Sequence, residues 1–154
     1  MARVVCRSFQ RCAIAWITIF AFAISGFGQT TVGSIKTVTG QVTVARSGQL
    51  IDVKEGFLLL VQDSLRTAAE ARVGIILKDG TRFSLGPNSE LVLEKFVFEP
   101  AEGQLGMLVR LVKGIAAYIS GQIAQLAPNS SQIETPVGVI GLRGTHVAIS
   151  LEPQ

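Results

Sequence analysis

The chain has 154 residues, 48% of them hydrophobic and 16% charged, enough for one domain and too few for two ordinary ones. Arg3, Arg7 and Arg11 account for the whole formal charge of +3, because residues 29–154 carry 11 basic against 11 acidic side chains. The basic balance therefore gives no support to nucleic-acid binding. Both cysteines, Cys6 and Cys12, also lie in the leader, which excludes a disulfide framework and a thiol nucleophile from the remainder.

In chain order, the basic leader is followed by an apolar run from Cys12 to Ile24 that contains Trp16, Phe20 and Phe22, and then by Ser25-Gly26-Phe27-Gly28. This is the pattern of a secretory signal peptide over residues 1–28, a helix cut near Gln29. The run is shorter than the ~20 residues a spanning helix needs. No Ala-x-Ala precedes the cut, so an uncleaved N-terminal anchor is the alternative and would be the chain's only membrane contact. Export places residues 29–154 in the periplasm or outside a bacterial cell, held by a hydrophobic core alone.

Thr30 to Ser34 reads as a polar lead-in, after which Val38, Gly40, Val42 and Val44 alternate as a strand or a bent pair broken at Thr39-Gly40. Arg46-Ser47-Gly48-Gln49 is a turn, Leu50 to Val53 a short strand, and Phe57 to Val61 a continuous apolar run that predicts a buried strand. From Asp63 to Leu93 lies the clearest local signal. Ala71, Val73, Ile75 and Leu77 alternate up to Asp79-Gly80, and Thr81, Phe83 and Leu85 resume the rhythm. Asp-Gly between such runs predicts a hairpin with a type I′ turn. Gly86-Pro87-Asn88-Ser89 turns the chain again and Leu91 and Leu93 follow, so three antiparallel strands are expected. Glu99 to Gln104 is the longest loop-like interval. Leu105 to Ile119 alternates with an interruption at Lys113-Gly114, one helical turn at most fits Gln122 to Leu126, and Val137 to Leu151 closes the domain after Thr135-Pro136.

Short strands at regular spacing with Gly, Pro and Asn turns predict an all-β domain of antiparallel strands and hairpins, a sandwich or a coiled β-roll. Gly80-x4-Leu85-x-Pro87-Asn88-Ser89 recurs as Gly121-x4-Leu126-x-Pro128-Asn129-Ser130. A second echo, Lys78 to Thr81 with Leu142 to Thr145, has a different offset, so both read as reuse of turn chemistry and not as a duplication.

The order of these signals resembles the FecR-like domain family. The carrying residues are Gly40-x-Val42, Asp63-Ser-Leu-Arg66-Thr67, the Val73 to Leu77 run with Asp79-Gly80-Thr81, Pro87-Asn88-Ser89, Leu111-x-x-Gly114, Thr135-Pro136 and Arg143-Gly144-Thr145. Gln62 stands where the family usually has Gly. The resemblance implies an extracytoplasmic all-β domain; the name-giving branch relays an iron-siderophore signal from an outer-membrane receptor to a cytoplasmic sigma factor. Only about 11 residues precede the apolar run and three follow Leu151. No sigma-factor contact and no receptor-contacting extension are therefore expected from this chain alone.

Chemistry-bearing residues are few. His146 is the only histidine, on the face of its strand opposite Thr145, Val147, Ile149 and Leu151, and it has no second His or Cys in residues 29–154 for metal binding or base catalysis. Asp63 is expected to cap its turn and Arg66 to meet a carboxylate or carbonyls. Gly144 is read as supplying positive φ before the last strand. Ser89 and Ser130 lack the Gly-x-Ser-x-Gly elbow of a hydrolase, and phosphate loops, metal clusters and nucleotide fingerprints are absent from the sequence. The expectation is a non-catalytic, cofactor-free, protein-binding or scaffold module of the cell envelope. A periplasmic sensor of iron-type signalling and a cell-wall or polysaccharide binder are the alternatives, the latter weakened by the few aromatics outside the leader.

Overall fold

The computed structural model describes residues 30–143 and 146–151; the predicted signal peptide and Gly144-Thr145 lie outside them. Alternation of apolar and polar residues produces twelve strands: β1 (Thr31–Thr39), β2 (Val42–Arg46), β3 (Gln49–Asp52), β4 (Leu58–Leu60), β5 (Ser64–Thr67), β6 (Arg72–Leu77), β7 (Arg82–Leu85), β8 (Glu90–Glu99), β9 (Gln104–Ile119), β10 (Ser131–Thr135), β11 (Gly138–Gly141) and β12 (His146–Leu151). One short helix, α1 (Gln122–Leu126), lies between β9 and β10. The strands join in a single curled sheet in the order β3-β2-β5-β8-β9-β7-β6-β1-β4, with β10 and β12 also on β9 and β11 beyond β10. The all-β, mostly antiparallel class predicted from alternation is what forms.

Side chains at every second position fill the inside of the curl. Val73, Ile75 and Leu77 of β6, Phe83 and Leu85 of β7, Leu91 and Leu93 of β8, and Val109 and Leu111 of β9 are buried with Leu59, Leu65 and Ile123. Each such burial contributes roughly 1.5–3 kcal/mol. Phe83 and Tyr118 meet with ring centroids 5.2 Å apart, in a tilted arrangement that aromatic quadrupoles favour.

The organising element is β9. Its first part pairs with β8 on one edge and, in parallel, with β10 on the other; its last part pairs with β7 and β12. β7 and β8 follow one another along the same edge of β9: Leu85 lies opposite Ala116 and Glu90 opposite Lys113, with Gly86 N–H bonded to Ile115 C=O at 2.8 Å. The sheet therefore bends at the residues between them, with one half on each side of the bend.

Several sequence expectations change in three dimensions. Gly86 to Ser89 is this bend and not a hairpin turn, so β7 and β8 do not pair, and β8 instead sits between β5 and β9. The β6–β7 turn is not type I′. Asp79 keeps a negative φ and only Gly80 is left-handed, at 84°, while Gly80 N–H reaches Leu77 C=O at 3.0 Å and Leu77 N–H reaches Thr81 C=O at 2.8 Å. That is a type I turn closed by a glycine bulge. The reason is the Asp79 carboxylate, which folds back on Thr81 and fixes its own backbone.

The polar lead-in is part of β1, paired with both β4 and β6, since ladder bonds need backbone and not apolar side chains. The Phe57–Val61 run yields an edge strand of three residues in which Leu59 is buried and Leu58, on the opposite face, is 56% exposed. The Glu99–Gln104 interval is a tight connection between two long strands. Val137–Leu151 divides into β11, which folds back on β10, and β12, which returns to β9. The 41-residue echo has no structural counterpart: its first copy is β7 and the bend, its second is α1 and a 3₁₀ turn.

Candidate functional site

The polar motif residues gather at three places. At the first, Asp63 is fully buried and accepts three hydrogen bonds, from Arg46 Nε at 2.8 Å, from Arg46 Nη2 at 2.7 Å and from Leu60 N–H at 2.8 Å. The Asp63 bonds push the Arg46 guanidinium further up from its already high pKa, against the opposing effect of partial burial. Arg46 also donates to Leu58 C=O at 2.8 Å and stacks over Phe57 at 5.1 Å. A forked cation and a carboxylate at this spacing clamp β2 to the 58–63 segment. The sequence reading placed Arg46 in a turn and missed this role; a buried Asp63 demanding a cation was the only available signal. Gln62, beside it, has φ of 71°, a conformation that costs a side chain strain and that glycine adopts freely.

At the second place Asp79 and Thr81 are both buried. Asp79 Oδ1 accepts Thr81 N–H at 3.0 Å, Oδ2 accepts Thr81 Oγ1–H at 2.6 Å, and Oδ2 also accepts Ile123 N–H at 3.4 Å in the first turn of α1. A Cβ on Gly121 would stand 2.4 Å from Thr81 N, so only glycine lets the helix approach the hairpin this closely. Burial, and then the charge of Asp79, push the pKa of Tyr118 up to about 12, with the nearby Thr81 hydroxyl opposing them. Tyr118 Oη makes no hydrogen bond of good geometry.

The third is the bend itself. Thr67 Oγ1 donates to Gly86 C=O at 2.7 Å and accepts Ser89 N–H at 2.8 Å; Ser89 Oγ accepts Ile115 N–H at 2.9 Å. Asn88 is left-handed at 51° and Gly114 at 88°. Pro87 precedes them with its φ preset by the ring. A Cβ on Gly114 would lie 2.3 Å from Ser89 Oγ and 2.5 Å from Ser89 Cα.

The other motif residues stand apart. Arg66 is exposed and meets Glu90 at 2.8 Å. Thr135 Oγ1 donates to Gly138 C=O at 2.8 Å across the Pro136-Val137 turn of the β10–β11 hairpin. Arg143 is exposed just before β12. No group of three His, Cys, Asp or Glu among the described residues is placed to hold a metal ion, and no helix among them is long and apolar enough to cross a membrane.

What remains open is backbone. Ile115 spends its N–H on Ser89 and its C=O on Gly86, both on the β7–β8 edge of β9. Alternation then turns Gly114, Ala116 and Tyr118 towards β12, opposite Leu151, Ile149 and Val147. His146, Ala148 and Ser150 consequently direct their N–H and C=O groups away from β9, where no strand among the described residues receives them. Their side chains are exposed, while Ile149 is buried. The edge carries no Lys, Pro or acidic residue to discourage pairing.

No curated protein and no solved structure gives a significant match to the chain. The family described as FecR protein matches residues 63–154, a span that includes Asp63 but not its partner Arg46, and takes in the Asp79 hairpin, the bend and β12. On that match, which covers more than half of its length, the chain belongs to the FecR protein family.

Proposed function

We propose that the chain is a non-catalytic module, exported to the cell envelope, that holds a protein partner by adding a strand of that partner to the open edge of β12. Membership of the FecR family is consistent with a signalling-related module of the envelope. The single observation that carries the finer reading is the row of backbone groups at His146, Ala148 and Ser150 left without a strand partner among the described residues. Such an edge is a template for an added strand. The polar side chains of the Asp63 clamp, the Asp79 hairpin and the bend, in contrast, are bonded within the fold. A polysaccharide site has less support, since none of the large exposed hydrophobics among the described residues is aromatic.

The test is a photo-crosslinker at Ser150 in intact cells, compared with one at Lys54 beyond β3. The Ser150 position is expected to give an envelope-protein adduct. Ala148→Pro, which removes an edge N–H without touching the β9 ladder, abolishes it, and His146→Ala preserves it. Loss of the adduct in a folded His146→Ala chain would overturn the backbone reading and return attention to a side-chain site.

A further inference from the structure

The chemistry of the docked strand can also be inferred, on the premise that β12 is the docking edge. Where β12 ends, the bend in β9 opens a hollow of ≈ 630 Å³ lined by Pro87, Lys113, Gly114, Ile115, Ser150 and Leu151. Ile115 is 49% exposed although it lies within a paired strand. It stands opposite Ser150 on one side and next to Gly86, whose missing side chain leaves it uncovered, on the other. The hollow is thus apolar in its wall and continuous with the open edge.

Its rim is cationic. Lys113 is exposed and opposite Glu90, but the Glu90 carboxylate is already held by Arg66 at 2.8 Å and by Ser64 Oγ at 3.2 Å. Lys113 makes no ion pair among the described residues. Across β7, residues 114–119 and β12, the one formal charge is Arg82, and Arg143 stands just before β12. No carboxylate faces these cations from those strands, whereas in the opposite half Arg46, Arg66 and Arg110 each have an acid within 2.9 Å. We infer that β12 takes an extended, acidic segment of a protein partner, seating one apolar side chain against Ile115 and Leu151 and placing a carboxylate at Lys113.

The experiment uses the full chain and two dye-labelled peptides, Thr-Glu-Thr-Leu-Thr-Glu-Thr and the same sequence with both Glu replaced by Lys, read by fluorescence anisotropy. Acids on both sides of the leucine present one to Lys113 in either strand direction. The acidic peptide is expected to bind about fivefold more tightly, the scale of one exposed charge pair turned from attraction to repulsion. Lys113→Glu is expected to reverse the order, and 1 M salt to erase it. Replacing the peptide leucine with serine weakens binding about tenfold, the scale of one apolar side chain partly buried. Equal binding of the two peptides, no binding of either, an unchanged preference in Lys113→Glu, or indifference to the leucine overturns the inference. Ala148→Pro separates the two levels. If it binds as the unmodified chain does, the edge reading itself fails; if it binds neither peptide while Lys113→Glu keeps the acidic preference, the edge stands and the charged hollow is wrong.

Discussion

On the outer face of the half built from β2, β5, β8 and the first part of β9, guanidinium groups are matched to carboxylates. Arg66 meets Glu90 at 2.8 Å, and Arg110 meets both Glu94 and Glu134 at 2.9 Å. The face of the other half runs through Thr37, Gly74, Ser84, Ala117 and Ala148, directly opposite one another on five successive strands and none of them charged. The two faces are continuous through β9 and share one core. The difference shows how one sheet can be stitched across its strands on one side of a bend and left smooth on the other. Cross-strand ion pairs add little stability in solvent, but they occupy the guanidinium groups of Arg66 and Arg110.

The largest expected effect comes from breaking the junction between the halves. Gly114→Ala puts a methyl group against Ser89 and Asn88 backbone atoms and forces a side chain to φ of 88°, so overpacking and strain together destabilise the chain by about 4 kcal/mol in urea unfolding. A change under 1 kcal/mol would mean that the bend is soft. Gly80→Val, at the hairpin signal, is expected to cost less, about 1–3 kcal/mol, because its Cβ meets open space and only the φ of 84° resists it.

Next in size is the contrast between two arginines, one from each half. Arg46→Met strands the buried Asp63 carboxylate with a single backbone donor and is expected to cost about 3 kcal/mol. Arg82→Met, on the smooth face and exposed, should stay within about 0.5 kcal/mol. Equal losses from the two would erase the distinction drawn above.

Tyr118 sharpens the comparison through pH. Its folded pKa, about 12, lies above the unfolded value near 10, so the folded chain holds the phenol proton more tightly. The associated stability is fully present below about pH 10 and is lost as pH rises through about 12, a span worth about 2 kcal/mol. Melting curves from pH 9 to 12 should show that slope, and Tyr118→Phe should remove it. At neutral pH the phenylalanine variant should be no less stable, since the lost hydroxyl has no partner of good geometry. The smallest effect is expected for Gln62→Gly, where relief of strain at φ of 71° offsets the loss of the side-chain bond to Glu94 C=O, leaving a net change within about 1 kcal/mol.

Strand period, turn residues and the absence of helix-length repeats determined the all-β class from the sequence alone, because alternation and Gly/Asn turns are local properties of a few neighbouring residues. The β6–β7 hairpin was legible at Asp79-Gly80 for the same reason, although its turn type was not: Asp79 bonds Thr81 and Ile123, and Ile123 lies 44 positions away. Which strands pair was decided only in three dimensions. Gly86 to Ser89 has the composition of a hairpin turn, but Thr67 and Ile115 claim its polar groups, so the chain bends along β9 and does not fold back. Arg46 could not be found from its neighbours in sequence, because its partner Asp63 is brought to it by the pairing of β2 with β5. The open edge of β12 likewise belongs to no residue type. β7 and β8 use one edge of β9 along its whole length, so β12 takes the other, and no strand among the described residues lies beyond it.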